Sequence, residues 1–314
     1  MRYYFAPMEG LTDSIYRFRH RQFFPGVDRY YTPFFSPTQS HKLTCKEQKE
    51  LPPRQSLNME VIPQILTKVP EDFLWLAQKC AALGYEEVNL NAGCPSGTVT
   101  AKGKGAGMLA DPESLDRFLD QVFSRCPIPI SVKTRIGFQR PEEFAELLGV
   151  YNRYPVKELT VHPRVRKAFY AGTADMEIFA YAAKNSKNPL CYNGDITDKA
   201  QALAIGQAFP NVNAVMIGRG LIARPDMLSP READGQTLLA FYEALLADYM
   251  QAFSSSRNAM FRLKEHWHYL APRFPGCEKL AKRLRKTTDL EEYRAIIKEI
   301  LLSPVDDNPC KEKI

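Results

Sequence analysis

A thiol held between glycine and proline on a loop is one that solvent and substrate can reach. Cys94 stands in such a place, in Leu90-Asn91-Ala92-Gly93-Cys94-Pro95, ahead of the glycine-rich Lys102-Gly103-Lys104-Gly105-Ala106-Gly107. Thiols serve as nucleophiles, metal ligands or proton donors. With no second thiol or histidine cluster nearby, the metal reading is poor, and taken alone a loop cysteine is more often inert than catalytic. Its company changes the odds. Six other short segments close apolar runs with polar or permissive residues: Pro7-Met8-Glu9-Gly10, the run containing Gln64, Lys133 with Arg135, His162-Pro163-Arg164, Asn193-Gly194-Asp195 and Gly218-Arg219-Gly220. Any one could be a turn; together they would make a polar ring.

The ring suggests particular chemistry. Asn193-Gly194 and Gly218-Arg219-Gly220 suit a phosphate, because glycine lets backbone N–H groups approach an anion and arginine adds a forked donor. Lys133, flanked by Ser131-Val132 and Ile136 that look buried, could stabilise negative charge on a reduced flavin ring or form a Schiff base with a carbonyl substrate. From its own residues, His162 is as readily a structural histidine as a donor to a cofactor.

Such a ring needs strands that end on one side. Strand-like runs occur at Tyr3–Pro7, Arg29–Phe34, Val61–Leu66, Glu87–Asn91, Ile128–Thr134, Glu158–His162, Leu190–Asn193 and Ala214–Ile217, several almost continuously apolar, as parallel strands buried on both faces are. Between them, apolar residues at spacings of three and four predict helices at Glu71–Leu83, Glu113–Phe123, Pro141–Tyr151, Met176–Lys184 and Asp198–Ala208; Asp111-Pro112 supplies an N-cap and a first-turn proline for the second. The β-then-α rhythm predicts a (β/α)8 TIM barrel, whose chemistry sits at the carboxyl ends of the strands and which often binds phosphate after its last two. No GxGxxG follows the first strand, against a dinucleotide-binding sheet. Residues Phe35–Asn58 are polar, contain proline and show no clear helix. After Ser229-Pro230 strand signals stop, and helices are expected at Thr237–Phe253, Asn258–Leu270, Glu278–Lys286 and Leu290–Leu302. The expected organisation is a catalytic barrel over 1–230, a small all-α domain over 236–302 and a polar tail over 303–314.

Bulk composition agrees with this plan. The 314 residues are 45% hydrophobic and 25% charged, enough for one large core and a small appendage. No apolar run is long enough for a membrane span and the N-terminus is not a signal peptide, so a cytoplasmic protein with no membrane partner is expected. Seven widely spaced cysteines with no CxxC pair argue against a disulfide framework or a zinc site, so no metal is expected.

In these motifs and their order the chain resembles the tRNA-dihydrouridine synthase family, of bacterial type: Ala6-Pro7-Met8-Glu9-Gly10, Pro63-Gln64-Ile65, Leu90-Asn91-Ala92-Gly93-Cys94-Pro95, Val132-Lys133-Thr134-Arg135, Val161-His162-Pro163-Arg164, Asn193-Gly194-Asp195 and Gly218-Arg219-Gly220. It departs from the family pattern at Pro163, where glycine is common, and in the loop after Cys94. The resemblance implies FMN as cofactor and NADPH (or NADH) as reductant. It implies flavin contacts from Pro7, Met8, Glu9, Gln64, Lys133, His162, Asn193, Gly194, Asp195, Gly218 and Arg219. Cys94 would give a proton to C5 of a tRNA uridine, in the D-loop by preference, while hydride arrives at C6; Asn91 would hold the substrate uracil, and Arg135 and Arg164 would also bind substrate. No obligate protein partner is evident.

Charge points the same way. The chain carries a net +6, yet Arg257–Lys286 alone holds nine Lys and Arg against two Glu, a net +7. Lys279, Lys282, Arg283 and Lys286 share one helix face, and His266, Trp267, His268 and Tyr269 add rings that could stack on bases; the plain alternatives are a solvated face and a domain core. A different flavin barrel acting on a small molecule, a Schiff-base lyase using Lys133, and an RNA-binding module without chemistry are the competing readings.

Overall fold

The computed structural model describes residues 1–302. Strands β1 (Arg2–Phe5), β2 (Arg29–Tyr31), β3 (Val61–Ile62), β4 (Gln64–Ile65), β5 (Val88–Ala92), β6 (Ile130–Gly137), β7 (Leu159–Val165), β8 (Leu190–Tyr192) and β9 (Val212–Ile217) form one sheet in the order β3-β2-β1-β9-β8-β7-β6-β5-β4. Every pairing is parallel. The two ends of that order are neighbours in sequence, separated only by Pro63. Proline has no N–H to give a ladder, so the run expected as one strand splits: Val61–Ile62 pairs with β2 and Gln64–Ile65 with β5. Thr32 N–H donates to the Ile62 carbonyl (3.0 Å), the Gln64 N–H to Thr32 Oγ1 (3.0 Å), and Phe35 bridges Ile65. The expected eight-stranded β/α barrel is therefore present, its third strand hydrogen-bonded as two segments.

The predicted barrel helices appear at Pro70–Ala82, Pro112–Phe123, Phe144–Tyr151, Met176–Asn185 and Lys199–Ala208. Asp111 caps the second through the Ser114 N–H, with proline in the first turn. Within Phe35–Asn58, expected to lack a helix, Cys45–Glu50 forms one, closed by a capping box between Thr44 and Glu47. Five polar residues after a lone cysteine carry no apolar period, so capping chemistry, not amphipathicity, was the signal there.

Alternation along the strands sorts the barrel interior into levels. At the amino-terminal ends stand Arg2, Arg29, Glu60, Glu87 and Glu158, joined by Arg29–Glu60 (2.5 Å), Arg29–Glu87 (3.3 Å) and Arg2–Glu60 (2.9 Å). Above them Tyr4, Ala6, Tyr31, Ile62, Cys191, Ala214 and Met216 form an apolar cluster. The Tyr4 hydroxyl donates to Glu158 (3.1 Å), whose carboxyl burial pushes up to about 7 against the pull of Arg29. Opposite-parity residues face the helices: Tyr151 bonds Thr134 Oγ1 at 3.0 Å.

The chain divides into two compact units, one of Met1–Pro7, Asp28–Ile196 and Ala200–Ile217, the other of Met8–Val27, Thr197–Lys199 and the chain from Gly218 onward. The second is helical, as expected beyond residue 235: Gly235–Phe253, Ser256–Leu270, Glu278–Lys286 and Leu290–Leu301, with Ser14–Phe23 added to them. Tyr16 stacks on His266 (4.6 Å) and meets Phe241 edge-on (5.7 Å), Arg19 grips Asp248 with two bonds (2.6 and 2.7 Å), and Tyr249 donates to Asp13 (2.7 Å). No described helix is long and apolar enough to cross a membrane. The tail expected over 303–314 lies outside the described residues.

Two imidazoles of this unit are buried as neutral rings. Burial pulls His266 down to about 4 and His20 to about 3, each partly offset by a hydrogen bond to a backbone carbonyl, of Leu11 and Pro225 respectively. Unfolding returns both to their ordinary value of 6.5, so the unfolded chain binds more protons below that pH and stability falls as pH drops from 6.5 toward 4. His266→Gln should flatten this slope by up to about 3 kcal/mol, read from urea unfolding at pH 7.5 and 4.5; an unchanged slope would contradict a neutral buried His266.

Candidate active site

The Cys94 loop hangs on a line of side chains that crosses three strands. Asn89 donates to Ser131 Oγ (2.9 Å), Gln64 Nε2 to Asn89 Oδ1 (2.8 Å), and Asn91 Nδ2 to Gln64 Oε1 (2.8 Å). Asn91 Oδ1 then accepts the N–H groups of Gly93 (3.1 Å) and Cys94 (2.9 Å). Asn89, Asn91 and Gln64 are all buried. Buried amides persist where each polar atom finds a partner, and this line pairs them in series, so the turn bearing Cys94 inherits the rigidity of the barrel wall. Asn91 thereby holds the Cys94 turn directly.

The loop then doubles back. Gly105 has φ +57°, and a β-carbon on it would come within 2.9 Å of Cys94 Cβ and of the Cys94 carbonyl oxygen; only glycine fits that approach. Ala106 N–H donates to the Cys94 carbonyl (3.0 Å). Cys94 is left half-buried.

Three cations belong to β6 and β7. Lys133 lies opposite Asn91 on one side and Thr160 on the other. Burial, reinforced by the Arg135 guanidinium, draws its ammonium down to about 8, while the thiols of Cys191 and Cys94 favour the charge. No ion pair with a carboxylate involves it among the described residues. Arg135 is buried; its Nε donates to the Gly93 carbonyl (3.0 Å), Nη1 to the Val165 carbonyl (3.0 Å), and Tyr170 lies 5.4 Å from its guanidinium. Arg164, also buried, makes a two-bond ion pair with Asp195 (2.8 and 2.5 Å) and reaches His162 Nε2 (3.2 Å).

Asn91, Gln64, Cys94, Lys133, Arg135, His162, Arg164 and Asp195 thus share the barrel unit. Asn193 is there too, its Nδ2 donating to the Met216 carbonyl (2.7 Å), and a β-carbon on Gly194 would meet the Tyr192 hydroxyl at 2.9 Å. Pro7 follows β1. Met8, Glu9, Gly218 and Arg219 belong to the helical unit: the Met8 N–H donates to Thr12 Oγ1 (2.9 Å), and Gly218 precedes the short helix Arg219–Ala223.

Sequence reasoning passed over Tyr170 and Arg166. Tyr170 is 53% exposed and stands 6.1 Å from the His162 ring. Arg166 donates to Thr100 Oγ1 (3.0 Å) and lies over Phe138 and Phe169. Their signal was the run Arg164-Val165-Arg166-Lys167-Ala168-Phe169-Tyr170, dense in cations and rings but without period.

In the helical unit, Lys279, Lys282, Arg283, Arg285 and Lys286 are exposed around buried Leu284, and Arg283 pairs with Glu292 (3.0 Å). Two cations of the basic run are internal: Arg273 is buried against Asp226 (2.8 and 3.1 Å), and Lys264 donates to the Thr287 carbonyl at the end of Glu278–Lys286. Of the candidate stacking rings, His266 and Trp267 are core, the indole N–H reaching the Tyr293 hydroxyl (3.0 Å). The helical period of the core overrode the aromatic cluster.

Parallel strands closing a barrel, a polar row at their carboxyl ends and a helical extension define a (β/α)8 barrel protein with a candidate site at the strand ends. The structure resembles morphinone reductase (TM-score 0.53, 15% identity, 75% of this chain and 88% of that one) and the old yellow enzyme homologue of Zymomonas mobilis (TM-score 0.52, 13% identity, 72% and 86%), a likeness of fold. A dihydrouridine synthase (Dus) family model matches residues 4–301, and the chain belongs to that family. Relatives include a probable tRNA-dihydrouridine synthase 1 of Synechocystis (26% identical, 94% of this chain, 85% of that protein) and a probable tRNA-dihydrouridine synthase of Staphylococcus aureus (26%, 94% and 91%).

The amide line makes a direct prediction. Asn91→Ala strands the Gly93 and Cys94 N–H groups and Gln64 Oε1, and should lower stability by about 2–4 kcal/mol, measured by urea unfolding. A loss below about 0.5 kcal/mol, the range of ordinary surface changes, would show that the line does not hold the turn.

Proposed function

We propose that this protein is a tRNA-dihydrouridine synthase that reduces the C5–C6 double bond of a tRNA uridine, with FMN as cofactor and NADPH as reductant. The observation that carries the reading is Cys94, fixed by Asn91 next to Lys133, in a chain of the Dus family. Lys133 fits a flavin: it is a desolvated ammonium with no carboxylate partner among the described residues, and an electron-rich ring would relieve it. Its lowered value would also suit a Schiff-base amine; family membership favours the flavin.

When bound, reduced FMN would supply hydride to C6 of the uracil. The rest of the chemistry falls to the chain. Negative charge then builds toward C5 and the C4 carbonyl, so a proton must be ready at C5; Cys94 Sγ–H holds it. Asn91 keeps Cys94 in place through its backbone N–H, and Arg135 holds the same turn by the Gly93 carbonyl. By family resemblance Lys133, His162, Pro7, Met8, Glu9, Gln64, Asn193, Gly194, Asp195, Gly218 and Arg219 would hold the flavin, with Arg219 and the glycines serving its phosphate. The target uridine lies in the D-loop and enters flipped out of its stack. The helical region 236–302 grips the tRNA backbone through Lys279, Lys282 and Lys286, with Arg283 shared with Glu292.

Purified protein should be yellow and release FMN on denaturation. Cys94→Ala should retain the flavin and its reduction by NADPH, while dihydrouridine formation, followed by mass mapping of tRNA, falls by at least about 100-fold, the scale of losing an acid catalyst. Full activity in that variant would remove Cys94 from the reaction, and colourless protein that no added FMN stains would remove the flavin.

Reversing Lys279, Lys282 and Lys286 to Glu should weaken tRNA binding by at least about tenfold at physiological salt, with a shallower salt dependence. Filter binding across a salt series reads both, and unchanged affinity would place the RNA elsewhere.

A further inference from the structure

All five N–H groups of Arg164 are used inside the barrel unit. Nε donates to the Ala171 carbonyl (3.2 Å), Nη1 to Asp195 Oδ1 (2.8 Å) and to His162 Nε2 (3.2 Å), and Nη2 to Asp195 Oδ2 (2.5 Å) and the Gly172 carbonyl (2.5 Å). Its side chain is 3% exposed. A guanidinium has five donors, no acceptor, and stays protonated in proteins. An imidazole nitrogen that meets one at hydrogen-bond distance has a single role open to it, that of acceptor.

We propose that Arg164 is a positioning residue that sets the tautomer of His162, holding Nε2 as acceptor and the proton on Nδ1. His162 then presents a donor, rather than a lone pair, from its other nitrogen. The assignment of that donor to the flavin rests on the cofactor reading above; the tautomer does not. The clamp is built to hold this geometry. Asp195 sits at φ +41°, in the left-handed region that aspartate tolerates better than most residues, and also accepts the Ala174 N–H (3.1 Å). Gly172, whose carbonyl takes one Arg164 bond, is at φ +67°. One guanidinium therefore ties the end of β7, the loop through Ala171–Gly172 and the end of β8 to a single imidazole nitrogen.

The test is a long-range proton–nitrogen NMR spectrum of flavin-free protein labelled with 15N-histidine at neutral pH. His162 is identified by the signals lost in His162→Gln. Nδ1 should resonate as a protonated nitrogen and Nε2 as an unprotonated one. Arg164→Met should move the proton to Nε2 or leave both nitrogens protonated, whereas Asp195→Asn, which keeps an acceptor for Arg164, should preserve the Nδ1–H form. A wild-type ring protonated at Nε2 overturns the proposal, and so does an unchanged tautomer in Arg164→Met. If that variant does not fold, the wild-type spectrum still decides. Correct tautomers in a protein that never binds FMN would sink the cofactor reading alone.

Discussion

Buried amides must find partners, and the mouth of this barrel is organised around one solution to that constraint. Ser131, Asn89, Gln64 and Asn91 satisfy one another in series across β6, β5 and β4, and the last oxygen of the line receives the Gly93 and Cys94 N–H groups. A thiol on a glycine-rich loop would otherwise sample many positions. Here its backbone is tied to side chains that are themselves locked in the barrel wall, so preorganisation comes from the scaffold. Pro63 contributes by interruption: without a ladder N–H at that point, the third strand turns from β2 to β5 and presents Gln64 to both asparagines.

The three cations of β6 and β7 are stabilised by different means. Arg164 meets the charge of Asp195. Arg135 rests on backbone carbonyls and the ring of Tyr170, and its burial still lowers it to about 10. Among the described residues Lys133, alone of the three, makes no ion pair with a carboxylate and no hydrogen bond to a carbonyl, and desolvation weakens its charge. A site arranged this way favours an anionic or electron-rich group next to Cys94.

The helical unit treats charge by another logic. Its basic run mixes exposed lysines on one helix with an arginine and a lysine that serve the interior. Arg273 neutralises Asp226 where neither side chain is more than 2% exposed, and Lys264 closes a helix end. Counting cations in sequence overstates the positive surface for that reason, although the exposed face of Glu278–Lys286 survives the correction.

Much of this was legible beforehand. The alternation of apolar residues and the β-then-α rhythm are local, so the barrel, its main helices and the strand ends bearing Gln64, Cys94, Lys133, His162 and Asn193 could be placed from spacing alone, and the order of the motifs pointed to the family. The polar helix Cys45–Glu50 escaped because capping, not periodicity, makes it. What the sequence by itself determined was which residues stand at the strand ends. Only the tertiary structure decided which hold one another: that Asn91 carries the Cys94 turn, that Arg164 saturates itself on Asp195, His162 and two carbonyls, and that His266 and Trp267 are core. Those pairings join residues tens of positions apart, and hydrogen bonds between them depend on distances that no local period encodes.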